Sequence, residues 1–349
     1  MADDKQPFLD WWRTVTEGLA TGAAPGAQCW VWHRGQVVLD AVWGLATTLP
    51  APEPLTATQR FDLASLSKAL STTWCTLALV DDGKLCFDQP LGQAVPALFA
   101  DDDRLAHLTP RWLLTHQAGL PSYRAFYRLG RDRQKIKAAL LATDPVRPPG
   151  KAVEYSDLGF MLLGFAIEAA SGVGQDVFYQ QRVLGPLDLA GELVYGPLAS
   201  AGTAATEVCA WRKQLVRGEV HDENAAALGG VAGHAGLFAT APAAGRALLA
   251  MLQRRLLSAP LWDEVFRPRD DVSGQAFWLG LKRLGYESGD ARAFGHDGFT
   301  GTLAWASPER DLVVALLTNR VHPTRENRRL YDLRPGWIAR LAQLAKDVA

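Results

Sequence analysis

The residues best equipped for chemistry lie in the run Phe61-Asp62-Leu63-Ala64-Ser65-Leu66-Ser67-Lys68, which sets a hydroxyl and an amine three positions apart. Ser71 to Val80 is an apolar stretch ended by Asp81-Asp82-Gly83, the pattern of a buried helix with Ser65 at or near its N-terminus. Free backbone N–H groups and the positive dipole end at such a terminus favour a developing oxyanion. Positions i and i+3 share a helix face, so Lys68 is expected over Ser65. Desolvation in an apolar helix is expected to lower the lysine's pKa until it can accept a proton. An N-cap serine followed by a surface lysine has the same two residues, so S-x-x-K alone carries no function.

Two further clusters supply what the pair lacks. Tyr155-Ser156-Asp157 precedes an apolar helix expected over 158–170, and His296-Asp297-Gly298-Phe299-Thr300-Gly301 is expected just before a strand. A tyrosine and a lysine converging on one serine hydroxyl can relay its proton: the charged amine lowers the phenol's pKa, and the phenolate acts as general base. An H-x-G strand offers a backbone N–H as second oxyanion donor, its glycine permitting close substrate approach.

These clusters must be positioned by the surrounding elements. Phe8, Trp11, Trp12, Val15 and Leu19 recur at helical spacing. Gln28 to His33 and Gln36 to Trp43 read as a hairpin joined by Arg34-Gly35. From about 84 to 230 the pattern is mostly helical, with Thr109-Pro110 as a helix start and an amphipathic helix over 131–142. Strand patterns return at 276–282, 302–306 and 312–318, and Pro335 is expected to open a last amphipathic helix. Strands at both ends with helices between predict one sheet built from both termini: 1–70 and 230–349 form an α/β sheet domain and 71–229 a mostly helical insert. The site is expected in the cleft between them.

Composition narrows the function. The 349-residue chain is 48% hydrophobic, and its 36 basic and 37 acidic residues give a formal charge of −1 with no long run of either sign. That argues against nucleic acid or an anionic membrane as the main partner. Cys29, Cys75, Cys86 and Cys209 have no C-x-x-C or metal-ligand spacing. The polar, acidic N-terminus does not read as a signal peptide and no apolar run reaches the length of a membrane span, so a cytoplasmic location is expected.

The three clusters, in this order, resemble the serine β-lactamase and penicillin-binding-protein superfamily, within it the class C-like β-lactamase-related serine hydrolases. Leu113-Leu114-Thr115-His116-Gln117-Ala118-Gly119-Leu120-Pro121 and Gly229-Gly230-Val231-Ala232-Gly233-His234-Ala235-Gly236 extend the likeness, which runs from about Gly26 to Asn319. The resemblance implies an antiparallel sheet flanked by helices in an α/β (α+β) fold. It implies Ser65 as acylated nucleophile, Lys68 as its activating neighbour and Tyr155 as base or shuttle. His296 stands where many relatives have lysine, and the backbone N–H groups of Ser65 and Phe299 would form the oxyanion hole. Asp157 replaces the asparagine of Y-x-N, and Asp297 the threonine of K-T-G. With Gly298 they are expected to contact substrate, and two carboxylates near the cleft would disfavour a penicillin's carboxylate.

Other readings stay open. Ser156-Asp157-Leu158 could be an altered S-D-N, which would leave Tyr155 without a role. His221, Asp222, Glu223 and His234 could on paper hold a metal, but their spacing fits a hydrogen-bonded loop better. His116 reads as a structural histidine bonded within its turn, and Gly229 to Gly236 as a tight turn at the site. The expectation is a cofactor-free and metal-free serine hydrolase acting through an acyl-enzyme on small or short peptide-like esters and amides. The alternatives are a D-amino-acid peptidase, a penicillin-binding protein, a β-lactamase, or a catalytically silent scaffold.

Overall fold

The computed structural model describes residues 5–348 except 268–276, 279 and 284–288. Its centre is an antiparallel sheet of eight described strands in the spatial order Glu53–Pro54, Gln36–Thr47, Gly26–His33, Leu312–Thr318, Leu303–Ser307, Phe294–Asp297, Leu281–Arg283, Phe277–Trp278. The first three come from the N-terminal part of the chain and the rest from the C-terminal part. Arg34 and Gly35 both take positive φ, the backbone of a tight hairpin turn whose twist matches that of its strands.

Period-2 alternation gives the sheet two apolar faces. Trp30 and Trp32 on one strand, and Val313, Ala315 and Leu317 on its neighbour, point into a core shared with the helices Trp74–Asp81, Asp157–Ser171 and Ala241–Leu252. Cys29, Val31, Val314, Leu316 and Trp305 face the other way, where the helices Gln6–Gly18 and Arg329–Asp347 supply Phe8, Trp11, Trp337 and Leu341. The helix Ala241–Leu252 lies close on the sheet because Gly245 has no side chain; a Cβ there would overlap the Trp30 ring.

Several elements differ from expectation. Pro335 lies inside the last helix, which starts at Arg329 because Leu330 is buried in the outer core and Arg334 reaches back to the sheet. The single strand expected over 276–282 is a hairpin, Phe277–Trp278 against Leu281–Arg283, turned by Gly280 at φ +73°; Ala276 lies outside the described residues. The 84–230 region also holds small sheets: Val194–Tyr195 joins Phe61–Asp62 through Leu237–Ala239, and Val208–Cys209 pairs with Gln214–Leu215. No single helix among the described residues is long and apolar enough to cross a membrane.

Candidate active site

Ser65 sits half-buried in a turn between strand Phe61–Asp62 and a helix that runs α at Leu66-Ser67, π over Lys68–Thr73 and α over Trp74–Asp81. The preceding residue, Ala64, has φ +46°, a strained conformation for a residue with a Cβ. Asp62 holds it there. Its buried carboxylate accepts the Ala64 N–H at 2.8 Å and the His221 N–H at 2.5 Å, although burial raises its pKa. The turn therefore has a buried hydrogen-bond acceptor bracing its inner side.

Lys68 is fully buried, and its Nζ meets three acceptors: Ser65 Oγ at 2.9 Å, the His234 carbonyl at 3.1 Å and Asp157 Oδ1 at 2.7 Å. Burial disfavours its cation, but Asp157 and Tyr155 together outweigh the penalty, and the pKa is raised above the ordinary lysine value. This corrects the expectation of a lysine depressed into a base: desolvation was counted without the counter-ion beside it. Asp157 is accordingly placed against Lys68 as its ion-pair partner.

Tyr155 immediately precedes the helix Asp157–Ser171, whose N-cap Ser156 accepts the Gly159 N–H. Its phenol interacts with the side chains of Lys68 and Ser65, and the Lys68 ammonium lies 4.9 Å from the ring centroid. Burial raises the phenol's pKa more than Lys68 lowers it. The ready-made phenolate expected from the sequence is thus replaced by a neutral phenol. His116 is not bonded only within its own turn, as expected: its ring lies 4.6 Å from the Tyr155 ring and its Nδ1 accepts the Ser156 N–H at 3.1 Å.

His296 and Asp297 end the strand Phe294–Asp297, and the segment through Gly301 leads into the strand Leu303–Ser307, as expected. The His296 ring is 6.0 Å from that of Tyr155, and its Nδ1 donates to the Asp297 carbonyl at 2.7 Å. The Asp297 carboxylate binds the Arg334 guanidinium at 2.8 Å. Asp157 and Asp297 are therefore both ion-paired, so each carboxylate near the cleft is compensated. Gly298 lies where a Cβ would overlap the Leu63 carbonyl and Thr302 Oγ1. Thr300 Oγ1 donates to the Asp62 carbonyl at 2.7 Å and Thr302 Oγ1 to that of Leu63 at 3.0 Å, tying this loop to the Ser65 turn. Among the described residues neither the Ser65 nor the Phe299 backbone N–H donates to another group of the chain. Arg320, buried between the Phe299 and Tyr331 rings, holds the Phe299 carbonyl.

The His221-Asp222-Glu223 and His234 segments form braces. His234 Nε2 contacts Asp222 Oδ1 at 2.8 Å, which orients the loop whose carbonyl holds Lys68, and Asp222 also caps the helix Glu223–Ala227. Arg325 lies between Glu207 and Glu223, and the His221 ring stacks on Phe299 at 5.7 Å. Glu207, Cys209 and Glu223 bring ligand-type atoms near one another, with the Arg325 guanidinium bonded to both glutamates. Sequence reasoning missed Asp62, Thr300, Thr302, Arg320 and Arg334. Each acts through a backbone group or a charge far away in the chain, and no local pattern announces that.

Comparison with known proteins gives the family and the fold. The β-lactamase family model matches residues 12–334. The chain belongs to the β-lactamase family. It is a hydrolase of the serine β-lactamase and penicillin-binding-protein superfamily, with the mixed α/β fold and antiparallel sheet of that group. An N-acetylmuramyl-L-alanine amidase of Bacillus subtilis (strain 168) is 30% identical over 346 residues, covering 85% of this chain and 78% of the relative. The structure of SurE with D-Leu superimposes with a TM-score of 0.75 at 26% identity, covering 99% of this chain and 76% of that one. EstCE1, a hydrolase with promiscuous acyltransferase activity, gives a TM-score of 0.78 at 16% identity, covering 97% of this chain and all of that one, a likeness of fold.

Proposed function

We propose that this protein hydrolyses ester or amide bonds through an acyl-enzyme on Ser65. The observation that carries the reading is the buried Lys68 ammonium donating to Ser65 Oγ at 2.9 Å, with the Tyr155 phenol in contact with both. Lys68 stabilises negative charge as it develops on Oγ and needs no proton transfer of its own. Tyr155 acts as a two-way relay: it takes the Ser65 proton while passing its own to the leaving group, so no free phenolate has to form. The tetrahedral oxyanion rests on the Ser65 and Phe299 N–H groups. In the second half a water gives its proton to Tyr155 as it attacks the acyl carbon, and Tyr155 returns a proton to Ser65 Oγ as the acid leaves. His296 packs beside the Tyr155 ring. None of these steps calls for a metal or organic cofactor.

For substrate, the reading favours neutral esters and amides over β-lactams. Lys68 and Arg334, the two cations at the serine and at the strand end, are already matched by Asp157 and Asp297, leaving neither for a penicillin carboxylate. The amidase relative and the D-leucine bound in a neighbouring structure support a second reading, hydrolysis of D-aminoacyl amides. Intact-mass measurement of wild type and Ser65→Ala with a p-nitrophenyl ester, a penicillin and a D-aminoacyl amide tests both. The expected result is rapid, reversible acylation of wild type alone by ester or amide. Acylation that persists in Ser65→Ala, or turnover confined to penicillin, would overturn the proposal.

A further inference from the structure

We infer that His116 is the positioning residue that sets the Tyr155 relay, acting as a clamp on the N–H groups of the two residues that flank the tyrosine. The inference rests on the reading of Tyr155 as proton relay. Three contacts converge on one residue. The His116 carbonyl accepts the Glu154 N–H at 2.8 Å, its Nδ1 accepts the Ser156 N–H at 3.1 Å, and its ring lies 4.6 Å from the Tyr155 ring at 34°. The first two fix the backbone immediately before and after Tyr155; the third fixes the ring. Phe160, 5.1 Å from the imidazole, completes the stack, and the histidine is only 2% exposed.

The backbone of His116 shows that this arrangement is imposed. Its φ of +57° is left-handed, a conformation that strains a residue with a Cβ. The neighbouring Gly119, at φ +72°, continues the tight path that turns the chain back toward 146–156, where Val146 N–H reaches the Gly119 carbonyl and Gly150 N–H that of Gln117. That path is what lets one residue present a carbonyl and a ring nitrogen to two alternate N–H groups of another strand of chain. The ring can serve only as a neutral imidazole, with Nδ1 as acceptor and the proton on Nε2. Its surroundings keep it so. The titratable groups facing it are Lys68 on the Ser65 helix, His296 on the sheet and Tyr155 on the loop it clamps. Burial first, then the positive charges of Lys68 and His296, hold its pKa well below the usual histidine value.

Proton relay demands placement to a few tenths of an ångström, because a phenol that rotates loses its contacts with Lys68 and Ser65 together. A residue that acts only by placing Tyr155 must lose its effect when the phenol oxygen is gone. The test is a double-mutant cycle on the single-turnover acylation rate with a p-nitrophenyl ester, alongside kcat and KM. The variants are His116→Phe, which keeps the ring and loses the acceptor, His116→Asn, which keeps an acceptor and tolerates the left-handed backbone, Tyr155→Phe, and each His116 change combined with Tyr155→Phe. Tyr155→Phe should slow acylation about 10²- to 10³-fold. Each His116 variant should slow it roughly tenfold or more with KM changed less than about threefold, and neither should slow Tyr155→Phe further. If His116→Phe does not fold, His116→Asn is read in the same way. Wild-type rates in the His116 variants, or losses that multiply with that of Tyr155→Phe, would overturn the clamp while leaving the relay standing. A wild-type rate in Tyr155→Phe would overturn the relay itself, and with it the clamp.

Discussion

Replacing Asp157 by asparagine should lower the proton affinity of a lysine it touches, and the size of that change can be worked from one distance. Asp157 Oδ1 and Lys68 Nζ are 2.7 Å apart, with the lysine side chain fully buried and the aspartate side chain 19% exposed. At an effective dielectric constant of about 20, two unit charges at that separation attract by about 6 kcal/mol. An asparagine oxygen still accepts a hydrogen bond from an ammonium, which returns about 2 kcal/mol. The net loss is about 4 kcal/mol, equivalent to roughly three pH units of proton affinity. Burial is the largest single influence on Lys68, so without its counter-ion the lysine should titrate at or below its ordinary value, where wild type titrates above it. NMR of protein labelled with 13C at the lysine ε carbon reads the titration directly, and kcat/KM for an activated ester across neutral to strongly alkaline pH reads its consequence. Wild type should show no lysine inflection on the alkaline side; Asp157→Asn should gain one, with the rate falling through it as the ammonium is lost. A rate that rises through that inflection would make the neutral amine the base and refute the ammonium reading. A wild-type Lys68 titrating at or below an ordinary lysine would refute the electrostatic argument itself.

Three other substitutions probe the rest of the site and its frame. Gly298→Ala must displace the strand end from the Leu63 carbonyl and Thr302 Oγ1, so kcat should fall about 10²- to 10³-fold through the misplaced Phe299 N–H, and wild-type kcat would contradict its assignment to the oxyanion hole. Gly245→Ala sets about 1 kcal/mol of helix propensity against overpacking of about 1–3 kcal/mol on the rigid Trp30 ring, so urea unfolding should show net destabilisation. Burial would raise the pKa of Glu207, but Arg325 and His221 bring it from 4.5 to about 2. A carboxyl lowered on folding contributes its stability above its unfolded pKa and loses it as pH falls toward the folded one, here about 3 kcal/mol between roughly pH 5 and pH 2. Urea unfolding at neutral and acid pH should therefore show a steeper loss for wild type than for Glu207→Gln; equal slopes would remove Glu207 as the acid-sensitive group.

What could be read from the sequence follows from how local each feature is. The hairpin was legible because Arg34-Gly35 encodes its own turn, and the helix Asp157–Ser171 because Ser156 and Gly172 mark its ends within the same stretch. Ser65 and Lys68 were legible from their spacing, and Tyr155 and His296 from the family resemblance; the structure brings Lys68 and Tyr155 to the Ser65 side chain, with His296 beside the Tyr155 ring. The strand expected over 276–282 failed at Gly280, where one residue's positive φ converts a run into a turn. Pro335 misled because a proline opens a helix only when nothing before it can be helical. Here burial of Leu330 and the reach of Arg334 to Asp297 favour an earlier start, at the loss of one backbone hydrogen bond.

Charge state was the least legible property, and the reason is physical. The sign of a pKa shift depends on the difference between a desolvation penalty, which an apolar sequence announces, and a Coulomb gain, which depends on a partner delivered by the fold. For Lys68 the apolar helix announced the penalty, whereas Asp157 arrives from another helix and reverses the outcome. For Tyr155 the lysine was visible and the burial was not, so the reversal runs the other way. The two errors cancel in the proposed reaction. A lysine held as a cation and a tyrosine held as a phenol still move one proton off Ser65, provided the phenol receives it as it hands its own onward. That condition makes the placement of Tyr155 matter more than its acidity, which is why the residues that hold it, His116 on one side and the Ser156 cap on the other, belong to the functional unit as much as the groups that touch the serine.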